Sequence, residues 1–247
     1  MVIEGPRVPP FNVTLMGVLR GVADFYGYAC SDAMLYGGTS HAFLINIHEV
    51  LCPSGPYCWR SNRFDVLLRN LGIVRTDCGF YSPESSASER SALEIILKTQ
   101  LDRGVPCALL NLENQLITGY DDAGLLTSQP WPQSDFPPAH MTWGTWEELG
   151  ESFHINFYTF EPVEPASVQI VVRDSLACAI DMLSHPESYT DEPYGAGPQA
   201  YAKWIEAVES GHGSEHGNWW NGTVWAECRS QAAEYFREIG QEHEELA

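Results

Sequence analysis

Apolar residues recur at helical spacing from Val13 to Tyr26, close to the start of the chain. They occupy most of the circumference of the predicted helix rather than one stripe, which is typical of a buried helix. We therefore expect a central helix with Asn12 or Thr14 as its N-cap. Gly17 and Gly21 each lower its helix propensity by about 1 kcal/mol relative to Ala, so another element should pack closely against them.

Beyond this helix, short apolar runs typical of strands and amphipathic helical patterns follow one another. The predicted strands are His41–His48, Ile73–Val74, Val105–Leu110, Gln115–Thr118, Leu125–Thr127, Phe153–Phe160 and Val168–Val172, and the predicted helices are 61–71, 83–103, 174–183, 198–209 and 219–239. Turn formers at 119–124 predict a hairpin, and the four prolines within 129–140 predict an irregular loop. This order is typical of an α+β fold. We expect one α+β domain over residues 1–172 and a C-terminal helical extension over residues 173–247.

The composition narrows the range of partners. The chain has 33 Asp and Glu but 13 Lys and Arg, a net charge of −20, and only two of its 247 residues are lysines. A protein that binds nucleic acid or an anionic membrane needs a basic surface, so we exclude both as partners. The acidity would also suit a salt-adapted host.

The seven cysteines contain no CxxC pair, and no segment has the pattern of a signal peptide or a membrane span. These features predict a reduced, cytoplasmic protein.

Several short segments carry a resemblance to known proteins. They are Leu19–Gly27, Tyr36–Phe43, Arg103–Cys107 and Leu116–Asp122, followed near the C-terminus by Tyr194–Gly197, Asn218–Asn221 and Ala226–Arg229. Together with the order of elements they resemble the papain-like cysteine peptidase fold, in particular the bacteriocin-leader peptidases and the butirosin-type acyltransferases. The resemblance implies a central N-terminal helix against an antiparallel sheet, with the last three segments in the helical extension of the acyltransferase branch.

The resemblance also implies a catalytic triad. Its cysteine stands at the start of the first helix, its histidine on a strand shortly before Gly-Tyr-Asp, and an orienting Asp or Asn on the next strand. The corresponding positions here are Thr14, then Glu113 or Asn114, and then Gln129. No triad residue is present at any of these positions.

No shift of the alignment supplies the missing groups. No cysteine precedes Cys30, and no histidine lies between His48 and His140. Without a neighbouring base, a threonine hydroxyl is a poor nucleophile at neutral pH. The resemblance therefore implies the cleft of the family without its usual reaction.

Six residues are candidates for binding a ligand in this cleft. His41 follows the predicted Gly37–Gly38 turn, near the implied cleft mouth, and Trp131 lies in the proline-rich loop. The six are Thr14, His41, Glu113, Asn114, Gln129 and Trp131. Structural alternatives are an N-cap role for Thr14 and exposed positions at a strand edge for Glu113 and Asn114. The glycine-rich loop holding His212 and His216 is not a helix that would align them, so we predict neither a metal site nor a cofactor.

Three functions remain open. The first is a catalytically altered papain-like protein that binds a small molecule or peptide in the former active-site cleft. The second is an acyltransferase or an amide or thioester hydrolase with a relocated nucleophile, either Thr14 beside Glu113 or Cys30 near His41. The third is an oligomeric structural subunit, such as a homodimer, that associates through tryptophan-rich C-terminal helices.

Overall fold

The structure, a computed structural model, describes residues 1–60, 63–131 and 137–242. The chain forms two compact units, each built from two separate segments. Unit 1 comprises Met1–Ala29 and Ile73–Val163, and unit 2 comprises Cys30–Gly72 and Glu164–Ala247. The expected α+β class is confirmed.

Seven α-helices and eight strands lie within the described residues. The helices are α1 (Thr14–Phe25), α2 (Asp32–Gly38), α3 (Phe64–Asn70), α4 (Ala87–Asp102), α5 (Val168–Ser184), α6 (Gly197–Glu209) and α7 (His216–Glu242). The strands are β1 (Asn46–His48), β2 (Ile73–Tyr81), β3 (Cys107–Asn111), β4 (Glu113–Tyr120), β5 (Gly124–Ser128), β6 (His140–Thr142), β7 (Ile155–Pro162) and β8 (Tyr194–Ala196). None of these helices is both long enough and apolar enough to span a bilayer.

Unit 1 is built on a six-stranded sheet in the order β2-β7-β3-β4-β5-β6. All neighbouring strands run antiparallel, and the predicted hairpin joins β4 to β5. Leucines of α4 pack with apolar residues of β3, β4 and β7 in a fully buried cluster around Trp146 and Phe157. Burial of these side chains is the main source of stability in this unit.

Helix α1 is buried along most of its length and lies against β4, as the apolar pattern predicts. A methyl group at Gly21 would stand 2.5 Å from the carbonyl oxygen of Arg7 and 2.7 Å from Leu116 Cδ1. Only a hydrogen atom fits in this gap. The expected close approach at Gly21 is therefore confirmed, and it sets the distance between α1 and β4.

Unit 2 contains five helices and the two-stranded sheet of β1 and β8 among its described residues. Helix α2 packs against α7 at Gly37, where a Cβ would stand 2.1 Å from the ring of Tyr235. The glycine allows the tyrosine ring to lie directly on the helix backbone. Gly37 and Gly38 are therefore the end of a helix, and the predicted Gly-Gly turn is wrong.

Two further predictions of secondary structure are wrong. The segment 41–48 is not one strand, because His41–Phe43 forms a 3₁₀ turn before β1 begins. The segment 168–172 is the first part of α5 rather than a strand, since its β-branched residues continue into a longer buried helix face. The predicted domain boundary between residues 172 and 173 consequently falls inside α5. The N-cap of the predicted helix 61–71 falls on Ser61, outside the described residues.

The tryptophan-rich C-terminal helices are only partly buried. Trp220 and Trp225 are 7% and 3% exposed, as expected for a packed helix face, but Trp219 is 60% exposed. Phe236 and Val208, on α7 and α6, are 52% and 45% exposed. Self-association through these helices stays a prediction.

Candidate functional site

Thr14, Glu113 and Asn114 are joined by hydrogen bonds in unit 1. The Thr14 hydroxyl donates to Glu113 Oε2 at 2.8 Å. It accepts from the backbone nitrogen of Asn114 at 3.0 Å and from Asn114 Nδ2 at 3.3 Å. Three of the six candidate residues thus meet where α1 and β4 begin.

All three side chains are buried. Thr14 is 1% exposed, Asn114 is 4% exposed and Glu113 is 8% exposed. The exposed strand-edge alternative for Glu113 and Asn114 is therefore wrong. A buried carboxylate needs hydrogen-bond donors to offset the loss of water, and the Thr14 hydroxyl supplies one.

Thr14 is the first residue of α1 and not its N-cap. Val13 holds the N-cap position without a side-chain hydrogen bond, so the predicted caps, Asn12 and Thr14, are both wrong. The Thr14 side chain instead turns toward β4. A threonine hydroxyl has one donor and two acceptor positions, and all three are used here.

The turn between β3 and β4 places Glu113 at the start of its strand. Asn111 pairs with Glu113 in the ladder, so Leu112 alone makes the turn. Leu112 has a φ of 60° and is 69% exposed. Such a conformation costs a non-glycine residue about 1–2 kcal/mol, which the paired strands on either side must offset.

Gln129 and Trp131 lie just after β5. Gln129 Nε2 donates a hydrogen bond to the carbonyl of Pro137. Trp131 is half-buried. The loop residues between them and Pro137, 132–136, fall outside the described part of the chain.

His41 belongs to unit 2, and the residues around it are aromatic. It is 1% exposed, and its ring centroid lies 5.4 Å from that of Trp59, 6.1 Å from that of Phe64 and 6.4 Å from that of Tyr36. Neither ring nitrogen has a hydrogen-bond partner among the described residues. Burial, with a smaller contribution from the charge of Arg229, lowers the pKa of His41 to about 3.

Two further groups were considered in the sequence, the Cys30–His41 pair and the glycine-rich loop that holds His212 and His216. His41 makes no hydrogen bond to Cys30, so the proposed Cys30–His41 pair does not form. In the Gly/His loop, His212 Nδ1 lies 2.9 Å from Glu215 Oε1. No group of three or more potential metal ligands occurs in the described ranges.

The surroundings of His41 were not predictable in full from the sequence. Trp59 lies in a turn-rich loop, and Phe64 and Tyr189 belong to α3 and to the segment after α5, so none of the three forms a motif with His41 along the sequence. These residues come together around one pocket only when the chain folds. The nearby Gly-Gly pair was the sole local feature that drew attention to His41.

No protein-family model matches this chain, and no curated protein or solved structure shows significant similarity to it.

Proposed function

We propose that the chain is a non-catalytic, papain-like protein that binds a small molecule or peptide in the cleft where the family carries its triad. The observation that carries this proposal is the saturated hydroxyl of Thr14. It occupies the expected nucleophile position at the start of α1, and it contacts both residues at the expected histidine position. The cleft would keep its binding role after losing the reactive pair.

The saturated hydroxyl argues against nucleophilic catalysis. An attacking oxygen needs a lone pair directed at the substrate, but both acceptor positions of Thr14 face Asn114. The oxygen is also buried, at 1% residue exposure. A substrate would have to displace two hydrogen bonds before it could reach the nucleophile.

One contact favours the enzyme alternative. A hydroxyl 2.8 Å from a carboxylate is the geometry of a nucleophile beside its base. If Glu113 took the proton of Thr14, the chain would catalyse acyl transfer or hydrolysis of an amide or thioester. The Cys30 version of this alternative has no such contact.

Hydrolysis assays separate the two functions. We expect purified wild-type protein to show no turnover of phenyl thioacetate or of an aminomethylcoumarin amide above the buffer rate. Turnover that Thr14→Ala and Glu113→Gln each abolish, but Thr99→Ala leaves unchanged, would refute the non-catalytic proposal and support the enzyme. Thr99 is an exposed helix residue of the same unit.

Restoring the missing pair tests the papain-like assignment itself. We expect Thr14→Cys/Glu113→His to bring a thiol and an imidazole together and to lower the thiol pKa by about one unit or more below that of Thr14→Cys/Glu113→Gln. The pH dependence of alkylation by iodoacetamide, followed by peptide mass spectrometry, measures both values. Equal pKa values would contradict the assignment. Protection of the introduced thiol by tryptic peptides of casein would report peptide binding in the cleft.

A further inference from the structure

Two cysteines at the ends of a tight loop in unit 2 are connected through two hydroxyl groups. Ser54 Oγ donates a hydrogen bond to Cys52 Sγ at 2.9 Å and lies 2.8 Å from Tyr194 Oη. The Tyr194 hydroxyl is in turn hydrogen-bonded to the thiol of Cys58. All four residues belong to unit 2, so a role for this group, which we call the dithiol cluster, does not depend on the proposed function of the chain.

Buried amides fix the backbone at both cysteines. Asn46, which is fully buried, donates from Nδ2 to the carbonyl oxygen of Cys58 at 2.7 Å and to that of Gly55 at 3.0 Å. Asn221, equally buried, donates to the carbonyl oxygen of Cys52 at 3.2 Å. A Cβ at Gly55 would stand 2.4 Å from the carbonyl oxygen of Asn46, so the glycine allows the loop to lie directly on β1. The two ends of the loop are therefore held in a fixed relation to each other.

The hydrogen bonds of the dithiol cluster run in one direction. The Ser54 hydroxyl has a single proton, which it donates to Cys52, so its oxygen accepts the proton of Tyr194. The oxygen of Tyr194 is then the acceptor for the Cys58 thiol. Burial, followed by the Cys58 contact, raises the pKa of Tyr194 to about 12, so the phenol keeps its proton at neutral pH. Cys52 lies at the accepting end, where a donated hydrogen bond stabilises negative charge on sulfur.

Both cysteines of the cluster are open to solvent. Cys58 is exposed and Cys52 is partly exposed, whereas Cys107, Cys178 and Cys228 are buried. Oxidants modify the cysteines that they can reach, and buried cysteines are inert. A structural zinc ion would need four ligands, and no group of three or more potential ligands occurs in the parts of the chain that the structure describes. A disulfide needs only the two thiols.

We propose that hydrogen peroxide oxidises the dithiol cluster to a reversible disulfide between Cys52 and Cys58, with Cys52 as the attacking sulfur. The sulfur atoms must approach to about 2.05 Å in the disulfide, so the hydroxyls of Ser54 and Tyr194 leave the space between them. A dithiol reductant returns the pair to thiols.

The reaction consumes one peroxide for each disulfide. The Cys52 thiolate attacks one peroxide oxygen, an S–O bond forms as the O–O bond breaks, and the released hydroxide is protonated to water. The Cys58 thiolate then attacks the sulfenic sulfur, and an S–S bond replaces the S–O bond as a second hydroxide leaves and becomes water. The two thiol protons end in these water molecules, and the peroxide gains the two electrons that the sulfur atoms lose.

Intact-mass spectrometry of the full chain after treatment with hydrogen peroxide tests this assignment. The monomer should lose about 2 Da, the mass of two hydrogen atoms, and dithiothreitol should restore the original mass. Chymotrypsin cleaves after Tyr57, between the two cysteines, so after free thiols are blocked the disulfide should join two peptides that separate on reduction. An unchanged mass, a gain of about 32 Da from a sulfinic acid without this link, or a disulfide between two chains would overturn the proposal.

Variants identify the two sulfur atoms and their order of reaction. Cys52→Ser and Cys58→Ser should each abolish the mass loss, whereas Cys78→Ser, at a partly exposed thiol of unit 1, should leave it unchanged. Dimedone, which traps sulfenic acids, should label Cys52 in the Cys58→Ser variant after peroxide treatment. Mass loss that persists in Cys52→Ser, or absence of the dimedone adduct, would refute the assignment. The peptide mapping uses the wild-type chain, so it decides the question even if a serine variant fails to fold.

Discussion

The buried imidazole of His41 should make the stability of the protein depend on pH in a defined window. Its pKa is about 3 in the folded chain against 6.5 when exposed, so protonation favours the unfolded state. The folded state is therefore at its most stable above the unfolded pKa. It loses stability as the pH falls from there toward the folded value.

The size of the effect follows from the two pKa values. Between pH 7.5 and pH 5 the unfolded state gains nearly a full proton at this position, and the folded state gains almost none. Linkage converts this difference to about 2 kcal/mol of lost unfolding free energy. The amide of His41→Gln does not titrate, so that variant should lose about 2 kcal/mol less than the wild type over the same interval.

Urea denaturation at both pH values, followed by tryptophan fluorescence, measures the difference. Comparing wild type with His41→Gln cancels the titration of all other groups. His154→Gln, at an exposed imidazole, serves as the control and should behave like the wild type. Equal losses in wild type and His41→Gln would show that His41 is not buried as a neutral ring.

Three further predictions concern the effect on stability of a buried hydrogen bond, of close packing at a glycine and of a helix cap. Thr14→Val removes one hydrogen-bond donor from the buried carboxylate of Glu113 and should cost about 2–3 kcal/mol in urea denaturation, whereas exposed Thr99→Val should change stability by less than about 0.5 kcal/mol. Gly21→Ala forces a methyl group against backbone and should cost about 1–3 kcal/mol. Gly222→Ala, whose Cβ would meet its nearest neighbouring atom only at 3.9 Å, should instead raise stability by about 0.5–1 kcal/mol; the same sign for both glycines in thermal melts would contradict this. Ser86→Ala removes a capping box and should cost about 1 kcal/mol, and an unchanged melting temperature would argue against the cap.

The pattern of apolar residues within a segment was enough to predict elements that are buried along most of their length. The helix 14–25 is apolar on nearly all sides, and β2, β3, β4, β5 and β7 carry apolar runs bounded by turn residues, so these elements were predicted at least in part. Strand β6 was missed because it is short and follows the proline-rich segment. The helical start of α5 was missed because Val168–Val172 is rich in β-branched residues, whose local preference the rest of the helix overrides. Helix α2 was missed because the Gly37–Gly38 pair is typical of a turn. The reason for a glycine here, the ring of Tyr235 packed on the helix backbone, is visible only in the structure.

The candidate sites show the same limit. The resemblance to papain-like proteins singled out Thr14, Glu113 and Asn114, but not the saturation of the threonine hydroxyl, which depends on the distances between side chains. The pocket at His41 joins segments more than a hundred residues apart along the chain. The periodicity of apolar residues within one segment carries no information about contacts between segments so far apart.

The interleaved segments of the two units constrain how the chain folds during synthesis. Residues 30–72 leave the ribosome well before their partners: β1 can pair with β8 only once residue 196 has been made, and Gly37 can pack on Tyr235 only once most of α7 has been made. Until then, the apolar side chains that pack on these later elements are exposed, and exposed apolar surface favours aggregation. Expression at low temperature, or with a chaperone that holds nascent chains, should therefore raise the yield of folded protein, and a fragment cut at residue 172 should be insoluble.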